Sequence, residues 1–425
     1  MTAGETHQTI EATFRIERAR LIAGLARVVR SVDFAEDLAQ DALVAALSEW
    51  PRTGVPANPG AWLMAVAKRR GVDAFRRDRM SERKHAELAR ALAGSFDGAP
   101  EAIAAAMDDD LGDELLGLIF AACHPILSPD ARAALTLRVV GGLSTDEIAR
   151  AFLSSEPAIA QRIVRAKKAI AKAGLRFEVP RGAELAARLP SVLEVVYLIF
   201  NEGYAATAGD ALVRPDLCLE AQRLGRILAG LMPDHPEVLG LLALMEIQAS
   251  RLRTRSAADG AFVPLTEQDR SRWDQLLIRR GLDALARAEV LAGKGRESGP
   301  YLLQAALAAC HARARLAADT DWPLIAALYD RLRVVSPSPV VDLNRAIAHS
   351  MAFGPEAGLR LLDEIADTPA LRDFAPLPAA RGDFLFRAGR RTEARSEFEA
   401  AAALTRNARE RAFLLARADA CDRAP

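Results

Sequence analysis

The residues best equipped for chemistry lie in one short stretch, AIAQRIVRAKKAIAKA (158–173). Gln161, Arg162, Arg165 and Lys168 recur at helical spacing, opposite an apolar stripe of Ile159, Ile163, Ala166 and Ile170. Gln and Arg side chains can hydrogen-bond base edges, while Lys and helix-terminal amides hold phosphates, so the pattern suits a nucleic acid. A second stretch, AWLMAVAKRRGVDAFRRDR (61–79), sets Trp62 ahead of Lys68, Arg69, Arg70, Arg76 and Arg77. An aromatic platform beside cations can stack on unpaired bases and hold a displaced strand. Trp62 is equally compatible with a core anchor between helices.

The charge pattern agrees with this chemistry. Across 425 residues, 56 Lys and Arg balance 56 Asp and Glu, which argues against one uniformly basic nucleic-acid binder. The balance hides separated blocks, however. Residues 61–85 hold eight cations and three acids, a net of +5, and residues 161–181 hold seven and one, a net of +6. Residues 91–131 between them carry eight acids and no Lys or Arg. Two basic segments joined by an acidic, Gly-containing tether suggest two separate contacts.

The elements that must position these residues are helices. The chain is 51% hydrophobic, rich in Ala, Leu and Arg, and its apolar residues recur three and four apart almost throughout, so an all-α fold is expected. The length allows two to four domains with their own cores. Ser144 stands three residues before Glu147, the spacing of a capping box, and Ile148, Ala149 and Phe152 give the helix it opens an apolar face. Leu153-Ser154-Ser155 forms a break, and Pro157 falls in the first turn of the next helix, where its missing N–H costs nothing. A short support helix, a tight turn and a basic second helix make a helix-turn-helix.

Other chemistries are disfavoured. Cys123, Cys218, Cys310 and Cys421 are far apart with no CxxC spacing, and Cys123-His124 and Cys310-His311 point in different directions on a helix. No metal and no cofactor is expected. There is no P-loop, GxGxxG, HExxH or GxSxG, so no enzyme is expected. No apolar run nears the roughly 20 residues that span a bilayer, and the N-terminus lacks a signal-peptide pattern, so a cytoplasmic protein without membrane contact is expected.

The segment LSTDEIARAFLSSEPAIAQRIVRAKKAI resembles the helix-turn-helix of domain four of bacterial sigma factors, with Leu143-Ser144, Glu147-Ile148-Ala149, Ile159, Arg162 and Arg165-Ala166 at matching positions. Leu153 stands where the turn usually has Gly, and Ala160 where a Lys is frequent. NPGAWLMAVAKRRGVDAFRRDR (58–79) resembles the promoter-melting part of sigma domain two, with Arg69 where Asn is common, and FAEDLAQDALVAAL (34–47) resembles its polymerase-docking helix. Order and spacing are similar to extracytoplasmic-function sigma factors, which lack a folded domain three. The resemblance implies −35 contacts by Ser144, Thr145, Ala158, Gln161, Arg162, Arg165 and Lys168. It implies −10 contacts by Trp62, Lys68, Arg69, Arg70, Arg76 and Arg77, and docking on the β′ clamp of core RNA polymerase by Asp37, Gln40 and Asp41. Domain two is expected over 10–80, an acidic linker over 81–110, domain four over 111–178 and an extension over 183–425.

The extension reads as paired helices. PLPAARGDFLFRAGRRTEARSEFEAAAAL, with Gly389-Arg390 at its turn, is similar to a tetratricopeptide repeat, and VDLNRAIAHSMAFGPEAGLRLLDEI resembles a second. With YLIFNEGY (197–204) and SPSPVVDLNRAIA (336–348), the whole chain resembles a sigma-factor subgroup with a tetratricopeptide-like extension. That subgroup is linked to small YCII-related proteins rather than to a membrane anti-sigma factor. The extension is expected to regulate activity or bind a protein partner. Asn201, Glu202, Tyr204, Arg223, Arg251, Asp269, Arg270 and Trp273 are candidates for a polar site in it; a buried hydrogen-bonded network is the plainer alternative. The competing reading of the chain is a one-component helix-turn-helix regulator with a C-terminal sensor.

Overall fold

The computed structural model describes residues 3–77, 113–152, 154–204, 214–255, 257, 263–293, 298–405 and 408–422. Among them there are helices and short 3-10 turns and no strand, as the periodicity requires. The expected acidic linker, 81–110, lies outside the described residues. The chain forms two compact units, Met1–Leu198 and Ile199–Pro425.

In the first unit, α1 (Ala3–Val29), α2 (Val32–Thr53) and α3 (Pro59–Arg77) pack together. The Ser31 hydroxyl caps α2 by accepting from the Phe34 N–H. Leu21, Ile22, Leu25, Leu38, Ala42, Trp50, Leu63 and Met64 are almost wholly buried. Each large side chain so buried contributes roughly 1.5–3 kcal/mol. A helix over 113–122, here α4, precedes α5 (Pro129–Val139), α6 (Thr145–Ala151) and α7 (Glu156–Lys172).

The chain turns at Pro180-Arg181-Gly182, where the extension is expected to begin. Yet the helix that follows, α8 (Gly182–Tyr204), packs on α4 and α5 before it leaves the unit. Arg132 on α5 donates to Ser191 and pairs with Glu194 at 3.0 Å. The Ser191 hydroxyl donates to the Cys123 carbonyl at 2.6 Å, and Arg188 donates to the Phe120 carbonyl at 2.7 Å. The local break is a turn, and tertiary contacts rather than turn residues set the boundary near Leu198.

The second unit is a succession of helices, each packed on the next: α9 (Pro215–Leu231), α10 (Pro236–Ala249), α11 (Gln275–Ala292), α12 (Pro300–Arg313), α13 (Trp322–Val335), α14 (Pro339–Phe353), α15 (Pro355–Ile365), α16 (Pro376–Arg387), α17 (Arg391–Leu404) and α18 (Ala408–Ala420). Helix α10 is buried nearly all round, which fits its run LGLLALMEI between α11 and α12. At the C-terminal end, Leu362, Phe384, Ala394, Phe398 and Ala401 form one core. Gly389 turns α16 into α17 with φ +80°, a backbone that a side chain would strain.

All four cysteines are free and buried. Burial pushes the Cys123 and Cys218 thiols up to about 12. The Cys123 thiol meets the Thr136 hydroxyl at 3.4 Å, while His124 Nδ1 accepts from the Ile126 N–H, so the adjacent pair serves two separate local networks.

Candidate nucleic-acid and polymerase interface

The helix-turn-helix forms as the sequence implies. The Glu147 N–H donates to the Ser144 hydroxyl at 3.1 Å, and the Glu147 carboxylate accepts from the Ser144 N–H at 2.7 Å, closing the capping box. Ile159, Ile163, Ala166 and Ile170 are buried. That burial turns Ala158, Gln161, Arg165 and Lys168 out to solvent on the opposite face of α7, with Arg162 half-buried at its margin. Arg162 lies 3.9 Å from Asp130, a weak pair. Ser144 is exposed and Thr145 half-buried at the start of α6, while Leu153 of the turn lies outside the described residues. Behind this motif, Gly117 on α4 presses against the chain after α7. A Cβ there would stand 2.7 Å from the Phe177 carbonyl oxygen, which only glycine avoids.

On α3, Trp62 packs edge-on against buried Trp50, ring centroids 5.3 Å apart, while staying half-exposed. It is therefore a core anchor that keeps a surface. Arg69 and Arg70 are exposed. Lys68 is half-buried in the field of Glu114 on α4, and burial pulls its ammonium below the usual lysine range against that attraction. Arg76 and Arg77 are on the last turn of α3, and their side chains lie outside the described residues.

Asp37, Gln40 and Asp41 share the exposed face of α2. Burial raises Asp37 above the usual carboxylate range, with Asp33 and other neighbouring acids adding to it and Lys167 opposing. Asp41 lies 3.8 Å from Arg70, so this face of α2 adjoins the basic residues of α3.

Sequence reasoning missed a cluster joining these parts. Lys167 on α7 reaches back to α2, with Nζ 2.7 Å from Asp33 and 2.6 Å from Glu36. Burial alone would lower its ammonium; Glu36 and Asp33 outweigh that and hold it above the usual lysine range. Glu36 is shared with Arg18 at 2.6 Å and Arg138 at 3.4 Å, and Arg18 also donates to the Arg138 carbonyl. Beside it, Arg27 on α1 pairs with Glu114 at 3.3 Å. No local signal marks these partners, because Lys167 and Asp33 stand 134 residues apart.

Comparison with known proteins fits this geometry. Residues 14–80 match sigma-70 region 2, and residues 118–170 match sigma-70 region 4. An uncharacterized protein of Rhizobium meliloti (strain 1021), R00370, is 42% identical over 398 residues, covering 93% of this chain and 92% of that one. The chain belongs to the sigma-70 family. Residues 188–289 match a family of unknown function, DUF6596, so this sigma factor carries a C-terminal extension beyond regions 2 and 4. Its role is promoter recognition and transcription initiation, which engages core RNA polymerase and promoter DNA. No described helix is long and apolar enough to cross a membrane.

Proposed function

We propose that this sigma factor docks on the β′ clamp through Asp37, Gln40 and Asp41. The −10 strand is held by Trp62 with Lys68, Arg69, Arg70, Arg76 and Arg77. The −35 element is read by Ser144, Thr145, Ala158, Gln161, Arg162, Arg165 and Lys168. The observation that carries this reading is the solvent face of α7, fixed by the buried stripe behind it. Lys68 takes the more retired part, since it faces Glu114. The acids Asp33 and Glu36 precede the docking positions on the same helix and are held by Lys167 in the free chain. Because Lys167 ties α7 to the helix that carries the docking face, docking on polymerase and the position of α7 are coupled. The extension, built of tetratricopeptide-like hairpins, regulates this step or binds a protein partner. The chain performs no catalysis of its own and needs no cofactor.

Run-off transcription tests the reading. Core polymerase plus the full chain should give a specific transcript from the cognate promoter, and neither component alone should. A tight operator shift by the protein alone, with no polymerase-dependent transcript, would establish the one-component regulator instead.

A further inference from the structure

The candidate polar site of the extension is redrawn by the structure. Arg223 pairs with Glu220 at 2.7 Å, Glu202 pairs with Arg214, Asn201 is exposed, and exposed Asp269 caps Ser271. Tyr204, Arg251, Arg270 and Trp273 remain, joined by Arg255 and His311. Arg255 Cζ stands 4.0 Å from the Tyr204 ring centroid, and Arg251 Cζ stands 5.5 Å from the same ring. Arg270 Cζ lies 5.3 Å from the Trp273 ring.

What distinguishes these three arginines is the neutrality of their partners. Arg251 donates to the Gln248 side-chain oxygen. Arg270 donates to the carbonyls of His311 and Ala314 and to the Thr320 hydroxyl, and its Nε is buried without an acceptor. Among the described residues, the Arg255 guanidinium stacks on the Tyr204 ring, with its Nε likewise buried and unpartnered. Among the described residues no carboxylate forms an ion pair with any of the three; Asp319 lies in the field of Arg270 without pairing. Elsewhere in this unit buried or half-buried cations face acids, as Arg214 does Glu202 and Arg345 does Asp330. Burial and the nearby charges of Arg251 and Arg270 push His311 down to about 3, so it adds a neutral ring whose Nδ1 is buried and unpartnered. Gathering like charges away from water is costly unless an anion offsets them.

We propose that Arg251, Arg255 and Arg270 form a binding site in the extension for a small oxyanion of the phosphate class carrying at least two negative charges. The Arg255 guanidinium can offer its planar fork to phosphate oxygens, Arg270 adds its charge while its terminal N–H groups stay on protein oxygens, and three positive charges exceed what a monocarboxylate neutralises. This site stands independently of the promoter reading.

Calorimetric titration of the full-length protein at fixed ionic strength tests it, with pyrophosphate, inorganic phosphate and citrate as probes. Pyrophosphate should bind saturably at one site per chain, more tightly than phosphate. Arg255→Met should weaken it at least tenfold, and Arg223→Met should leave it unchanged. No saturable binding by the wild-type chain overturns the proposal, whatever the variants do. So does equal affinity in Arg255→Met, which would make the cluster packing alone. Citrate binding as tightly as pyrophosphate overturns the phosphate class.

Discussion

At the residue scale, the proposed −35 reading rests on few side chains. Arg165 projects from α7 into solvent, and Arg162 makes a long pair with Asp130. Neither supports the core, so changing both to Ala should leave the melting temperature nearly unaltered. One good bidentate base contact is worth about 1–3 kcal/mol. Transcription from a −35-dependent promoter should therefore fall by roughly tenfold or more, measured by run-off assay. Equal transcription would remove both from the reading set. These positions were legible in the sequence because a helix alternates its faces with a fixed period, and Ile159, Ile163, Ala166 and Ile170 announced which face is buried. Trp62 was only half legible. An aromatic residue at the start of an amphipathic helix serves packing or stacking equally well, and only the edge-on contact with Trp50 shows the packing part.

At the scale of elements, the contact of α7 with α2 is the feature the sequence concealed. Local rules described each helix well: the capping box, the first-turn prolines and the glycine at 389 all appear where their chemistry places them. Pairing across 134 residues follows no periodicity, so Lys167 reads in sequence as one more cation of a basic block. Its side chain and that of Glu36 are only 12% and 11% exposed. Breaking a buried pair from one side costs on the order of 3–5 kcal/mol, though the exposed Asp33 arm is worth less. Lys167→Glu should open the first unit, seen as a larger radius of gyration in small-angle scattering, and should tighten binding to core polymerase. Adding Asp33→Lys, at the exposed acid that pairs with Lys167, should restore part of the compact form. An unchanged radius and affinity would show that the contact does not govern docking.

At the scale of the whole molecule, the placement of α8 decides where the chain can be cut. The Pro180-Arg181-Gly182 turn invites truncation at 182, but that would strip Ser191 and Glu194 from Arg132, whose side chain is 9% exposed. A fragment ending at 182 should melt well below one ending at Leu198, followed by circular dichroism. The longer fragment should fold like the first unit of the full chain and still differ from it in transcription, because it lacks the extension. Identical transcription would make the extension dispensable for initiation. The turn itself was legible from Pro and Gly. The packing of 182–198 on α4 and α5 was not, since an apolar helix names no particular partner.

The four buried thiols give this molecule an internal clock. Cys123 belongs to the first unit, and Cys218, Cys310 and Cys421 to the second. Only the thiolate reacts with alkylating reagents, and thiols sealed in apolar surroundings present almost none of it. Each cysteine should therefore be modified only when the structure around it opens. The order in which the four become labelled, read by peptide mass spectrometry, would time the unfolding of the promoter-binding unit against that of the extension, without any introduced probe.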